Sequence, residues 1–156
     1  MTKLKLARVA DVLEREVEPM TKEWLRRVNL VPELTDIPLG DLDRTAHLAK
    51  LYSDLISRLR LAKDVESPVS VAAAAHGQMR RAQGYTAAML IEKSRLFQVA
   101  TFDTLNLHQN ELDHSQVLLD VTVIADEVDA QLVETVRSLI GSGGSLRVNS
   151  LAIVED

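Results

Sequence analysis

Polar side chains able to do chemistry cluster between His76 and Tyr85, inside a stretch that is otherwise apolar. His76, Arg80 and Gln83 stand at positions i, i+4 and i+7, a spacing that places them on one face of a helix. An apolar stripe, expected on the core side about a quarter turn away, consists of Ala75, Met79 and Ala82. We therefore expect the polar row to flank the core, where it could line a cleft.

This polar row has the chemistry of a pocket for an anion or a small ligand. The guanidinium of Arg80 is a planar fork of donors that matches a carboxylate or a phosphate, and Glu92 on the next helix would be its partner when the pocket is empty. In a purely structural alternative, Arg80 pairs with Glu92 and His76 bonds a backbone carbonyl, because ion-pair networks also gather such residues. Both interpretations stay open, and the candidate ligand-binding residues are His76, Arg80, Gln83, Tyr85 and Glu92.

Turn residues next to the row predict where its helices end and begin. Gly84 is expected in the left-handed conformation that closes the first helix, and Thr86 has the side chain to cap the second. Tyr85, just before that cap, is placed to pack on Leu90. Gly77 lies inside a helix, where glycine costs ~1 kcal/mol relative to alanine, so we expect another helix to approach closely there.

Apolar residues recur at helical spacing along most of the chain. Pro19 is expected to kink or break the first helix near Glu18. The last helix is long and apolar on more than one side, so one side could face a partner chain. Helices are predicted over residues 6–28, 41–63, 67–83, 87–106 and 111–140, with a loop at 31–40. We expect an all-α single domain of five to six helices over residues 1–140, followed by a Gly/Ser linker and C-terminal tail at 141–156.

Composition and charge exclude several classes of function. The chain lacks cysteine, so disulfides and thiolate metal sites are excluded. Residues 101–156 carry two basic residues against ten acidic ones, a net charge of −8, and such a surface repels phosphates, which argues against nucleic acid as a partner. There is neither a signal-peptide core nor an apolar run of about 20 residues that could span a bilayer. We therefore expect a cytoplasmic protein without membrane contact.

The sequence shows no catalytic constellation. A serine elbow, a phosphate-binding glycine loop and a dinucleotide motif are all missing, so we expect no enzyme activity. The spacing of the four histidines argues against a metal site, and we expect no bound cofactor, with a haem-binding globin relative as an open alternative. A second alternative is histidine phosphotransfer through His76 or His114, although Met79 and Arg80 stand where that class of protein has lysine and glycine.

The stretch His76-Gly77-x-x-Arg80-x-x-Gln83-Gly84-Tyr85, continued by Leu90-x-Glu92, resembles the N-terminal domain of RsbR-type stress-signalling proteins. Domains of this family are also found ahead of bacterial histidine kinases. Trp24 and the pair Asp43-Arg44 fit the same pattern, and the resemblance extends over residues 5–140.

The resemblance implies a sensor domain of globin-like helical fold that is dimeric, holds no haem and has no enzyme activity of its own. It also implies a downstream partner, either a kinase or a stress-signalling output protein. We expect homodimerisation through the first or last helices. The helix at 111–140 would then pass a change of packing to the output module.

Overall fold

The structure, a computed structural model, describes residues 5–61 and 71–141. These ranges contain helices, turns and one backbone bridge between Ala7 and Leu112, which confirms the all-α class. No helix in them is long and apolar enough to cross a membrane. The linker and tail predicted at 141–156 lie outside the described residues except for Gly141. The helices are α1 (Val9–Arg15), α2 (Val17–Val28), α3 (Pro32–Thr35), α4 (Asp41–Thr45), α5 (Leu48–Arg60), α6 (Val71–Ala82), α7 (Ala87–Leu107) and α8 (His114–Ile140).

The predicted break in the first helical region is present, but it falls at Glu16 rather than near Glu18. Pro19 is thereby the third residue of α2. In this first turn the backbone N–H groups have no helical acceptor, so the proline removes no hydrogen bond there. The chain therefore turns just before the proline instead of at it.

Two other segments differ from their predicted boundaries. The helix expected at 41–63 is split into α4 and α5 by a turn at Ala46 and His47, and the expected loop at 31–40 contains α3. The described ranges therefore hold more helical segments than the five or six predicted, although only five of them reach twelve residues. The turn places His47 at the junction of two helices.

The predicted signals at the end of α6 and the start of α7 are local, and those of Gly84 and Thr86 are confirmed. Gly84 has a φ of 93°, and the Thr86 side chain accepts a hydrogen bond from the backbone N–H of Met89 at 3.2 Å. At the start of α8 the capping side chain is Asp113, which follows a short 3-10 turn at Gln109–Glu111. The boundaries of the helices that carry the candidate residues are thus set by residues at the helix ends.

The core forms where α8 packs against α5, α6 and α7, and where α2 packs against α7. Trp24 and Tyr52 are among its largest fully buried side chains. The close approach predicted for Gly77 is confirmed: a Cβ atom there would overlap the carbonyl oxygen of Thr135 and lie 2.8 Å from Cβ of Ser138. The missing side chain of Gly77 therefore lets α6 lie directly on α8.

Candidate functional site

The polar row of α6 faces the interior of the protein. His76 is 6% exposed and Arg80 is 0% exposed, whereas Met79 of the predicted apolar stripe is 50% exposed. The expectation that the stripe faces the core and the polar row flanks it is therefore wrong. A helix that buries its polar face needs polar partners inside the fold, and these partners come from three other segments.

Arg80 does not pair with Glu92, so the predicted resting partner of Arg80 is wrong. Glu92 lies on the outer side of α7 and binds Arg95, with Oε1 2.6 Å from Nη2, because the two stand at i and i+3 on one face. Arg80 instead donates to Oε1 of Gln83 at 2.6 Å and to the carbonyl oxygens of Asp43 and Arg44 at 3.0 and 2.9 Å. These carbonyl groups belong to the last turn of α4, where no backbone N–H group of the helix is available to donate to them.

Arg44 is a second buried arginine, 4% exposed, and it also binds carbonyl groups. Its Nη1 donates to the carbonyl of Leu34 at 2.8 Å and approaches the hydroxyl of Tyr85 at 3.2 Å. Its Nη2 donates to the carbonyls of Ile37 and Leu39 at 2.9 and 3.2 Å. Arg44 thus holds the irregular segment between α3 and α4 in place, and its role is structural.

Lys93 of α7 is the third buried cation, 3% exposed, and it differs from both arginines. Its Nζ atom lies 3.5 Å from Nε2 of His76. The amine also stands 4.6 Å from the centroid of the Tyr85 ring and 5.5 Å from that of Trp24, positions that allow cation–π attraction. Among the described residues, no oxygen atom accepts a hydrogen bond from it.

The electrostatics of this cluster are unusual because three buried cations lie close together. No salt bridge between described residues includes Lys93, Arg44 or Arg80. Burial, followed by the charges of Arg80 and Arg44, lowers the pKa of Lys93 to about 6. Burial, followed by Lys93 and Arg80, lowers the pKa of His76 to about 2, and the pKa of His47 also lies well below its ordinary value for the same main reason. Both histidines are therefore neutral. Burial lowers the pKa of Arg80, while the carboxylate of Asp43 acts in the opposite direction and partly balances its charge.

The two histidines form a stack beside the cations. The rings of His47 and His76 lie 3.6 Å apart at an angle of 7°, and Trp24 meets His47 edge-on at 5.8 Å. Nδ1 of His76 has no hydrogen-bond partner among the described residues, so the backbone bond expected in the structural alternative is not formed. The burial of His76 also disfavours phosphotransfer, because a phosphoryl acceptor must reach a partner protein.

Lys93 and His76 line a small, partly enclosed cavity of about 40 Å³. One water needs about 10–15 Å³ by the same measure, so the space suits a ligand of about three heavy atoms. A haem does not fit it, which argues against the haem-binding alternative at this place. The polar residues that line the cavity are His47, His76, Lys93, Ser94, Gln131 and Thr135, and Trp24 lines it as well.

The structure therefore brings together His76, Arg80, Gln83 and Tyr85 and leaves Glu92 outside. Lys93 was not predicted from the sequence as a site residue. Helical spacing nevertheless places it on one helix face with Leu90, Phe97 and Ala100. A lysine that shares a helix face with apolar residues is expected to be buried together with them. No group of three or more His, Cys, Asp or Glu residues in the described ranges could hold a metal ion.

Comparisons of the chain with protein-family models, with curated proteins and with solved structures gave no match. The chemistry of the site is therefore the basis for its interpretation.

Proposed function

We propose that this chain is a non-enzymatic regulatory domain that senses a small, negatively charged ligand at Lys93. The observation that carries the proposal is the buried amine of Lys93, a residue that lines the cavity. Among the described residues its hydrogen-bond partner is a histidine nitrogen, Nε2 of His76. Arg44 and Arg80 use their donors on backbone carbonyls, so they serve the fold. Among the described residues, Lys93 donates to no backbone carbonyl.

Burial of an amine whose contact is a histidine nitrogen at 3.5 Å is unfavourable, and residues that break a packing rule without compensation are expected at functional sites. An anion in the cavity would supply a stronger acceptor and would add negative charge near the arginines. Its size is limited to about three to four heavy atoms by the space available. Formate, nitrate, bicarbonate and acetate are ions of this class.

The same cavity is lined by residues of α8, through which a change at the site would reach the rest of the molecule. Gln131 and Thr135 of α8 form part of its wall, and Thr135 also contacts α6 at Gly77. Because α6 and α8 lie in direct contact there, a ligand that moves the wall changes how the two helices pack. We propose that α8 transmits this change to an output partner.

The resemblance to RsbR-type sensor domains supports the same interpretation. On that basis we propose a globin-like arrangement of the helices, a cytoplasmic homodimer and a downstream kinase or stress-signalling protein. Light scattering tests the dimer, and a strict monomer at high micromolar concentration would remove that part of the proposal.

Trp24 is the single tryptophan of the chain, and its ring lies 5.5 Å from the amine. We expect its fluorescence to change saturably when formate, nitrate or acetate is added at constant ionic strength. Lys93→Met should abolish the response. Lys22→Met is the matched control, because the Lys22 side chain is 76% exposed and pairs with Glu18 at the surface. A response that is absent from the wild-type protein, or that survives in Lys93→Met, would overturn the proposal.

A further inference from the structure

We propose that Nζ of Lys93 is a carbamylation site, at which carbon dioxide adds to the amine and leaves a carbamate in the cavity. The inference rests on the proposed function, in which Lys93 is the sensing group, and it names the chemistry that creates the negative charge. The ligand is then formed on the protein instead of arriving as an anion.

The cavity suits carbon dioxide in size and polarity. Its volume of about 40 Å³ corresponds to about three heavy atoms, the number in carbon dioxide. Apolar side chains, including Leu90, Phe97 and Val128, line it together with Trp24, and such walls favour a neutral, apolar gas over a hydrated ion. Lys93 lines this cavity, and no oxygen atom of the described residues accepts a hydrogen bond from its amine.

The reaction needs a neutral amine, because only the lone pair of nitrogen can attack the carbon atom. Burial and the two arginines lower the pKa of Lys93 to about 6, so most of it is neutral near pH 7.5. A lysine with the ordinary pKa of about 10.4 is almost wholly protonated at that pH. Lys93 should therefore react in preference to exposed lysines such as Lys22.

The step balances without an oxidant, a reductant or a cofactor. The lone pair of Nζ forms a bond to carbon, and one C=O π bond of carbon dioxide opens to give a carboxylate oxygen. The nitrogen then loses a proton, which passes to solvent. The product has one negative charge, which the positive charges of Arg44 and Arg80 stabilise.

The pH dependence of this step follows from the groups around the amine. The walls from α5 and α8 are formed by Leu51, Val128, Gln131 and Thr135, which do not titrate in the physiological range. The titratable or charged groups facing Lys93 are Arg44, His47, His76, Arg80 and Tyr85. Since both histidines stay neutral above pH 6, the titration of Lys93 itself governs the reaction. At fixed dissolved carbon dioxide, carbamate formation releases two protons from the protonated amine and one from the neutral amine. Carbamate occupancy should therefore rise about a hundredfold per unit of pH below the pKa of Lys93 and about tenfold per unit above it, until the site is saturated.

The test uses the intact protein equilibrated with ¹³C-labelled carbon dioxide and bicarbonate. We expect one slowly exchanging carbamate resonance in the ¹³C NMR spectrum. Trapping with triethyloxonium should place an ethoxycarbonyl group on the peptide that contains Lys93. Both should be lost in Lys93→Arg and Lys93→Met and kept in Lys22→Arg, with circular dichroism confirming that each variant is folded. No trapped adduct at Lys93, or equal adducts on exposed lysines, would overturn the inference.

The two proposals can fail separately. If formate binds in the Trp24 fluorescence assay but no carbamate is trapped, carbamylation is wrong and the anion sensor stands. A carbamate at Lys93 without binding of free anions would support carbamylation and would remove the free anion as the ligand. The pH dependence also differs, because an anion prefers the protonated amine and binds more weakly as pH rises above 6, whereas carbamylation needs the neutral amine.

Discussion

Replacement of Lys93 by methionine should make the protein more stable at neutral pH. Methionine keeps the length and apolar stem of the side chain, fills irregular space well and removes the buried amine. The pKa of Lys93 is lowered from 10.5 to about 6 in the folded state. At pH 7 the lysine is protonated in the unfolded protein, because this pH is about 3.5 units below its unfolded pKa, and it must lose that proton on folding. Each unit corresponds to about 1.4 kcal/mol. The free energy of unfolding should therefore rise by up to about 5 kcal/mol in Lys93→Met.

The pH dependence of stability gives a sharper test than stability at one pH. A basic group with a lowered pKa binds a proton only in the unfolded state between its two pKa values, so the free energy of unfolding increases with pH across that window. For Lys93 the window runs from about 6 to 10.5. We expect the wild-type protein to gain about 3 kcal/mol between pH 7 and pH 9, and Lys93→Met to lose this gain.

The window between pH 7 and 9 separates Lys93 from the other perturbed groups. The lowered pKa values of His47 and His76 act below about 6.5, where the unfolded histidines begin to bind protons. Burial raises the pKa of Tyr52, and this lowers stability only above about pH 10, where the unfolded tyrosine ionises.

Urea unfolding followed by circular dichroism at pH 7, 8 and 9 measures these values. The buffers should be free of carbon dioxide, so that carbamylation does not alter the amine. Lys22→Met is the control, and we expect it to keep the wild-type slope of stability against pH. A Lys93→Met variant that is less stable than the wild type at pH 7, or that keeps the full slope, would refute the reasoning.

Two other substitutions test the packing and the outer face of the site. Gly77→Ala should lower the free energy of unfolding by about 1–3 kcal/mol in urea titrations, because its methyl group would overlap the backbone carbonyl of Thr135; an equal loss in Gln78→Ala, at an exposed position on the same helix, would contradict this explanation. Glu92→Gln should leave the response of Trp24 fluorescence to formate unchanged, because Glu92 pairs with Arg95 on the surface; loss of the response would show that Glu92 belongs to the site.

Features that depend on neighbouring residues were predictable from the sequence. The ends of α6 and α7 follow from Gly84 and Thr86, since a glycine accepts a positive φ and a threonine oxygen accepts a backbone N–H within the same turn. Helical spacing of apolar residues gave the long helices for a similar reason. The break next to Pro19 was displaced by only a few residues because the first turn of a helix tolerates proline.

The face that α6 presents to the core was predicted wrongly for a physical reason. Amphipathic patterning assumes that polar side chains are solvated, but Arg80 is fully buried because carbonyl groups of α4, distant in the sequence, need its donors. The predicted pairing of Arg80 with Glu92 rested on their opposite charges alone, because the sequence does not show which way each side chain points. In the fold, Arg95 lies closer to Glu92 on the same helix face.

By itself the sequence determined an all-helical chain, the ends of the central helices and a polar segment around His76, since all of these depend on contacts within a few residues. Tertiary structure decided which charges are buried and which are solvated. Lys93 became the centre of the candidate site only because α2, α6 and the turn before α5 place Trp24, His76 and His47 around it. Desolvation and long-range charge set the properties of its amine, and both depend on residues that the chain brings together from far apart.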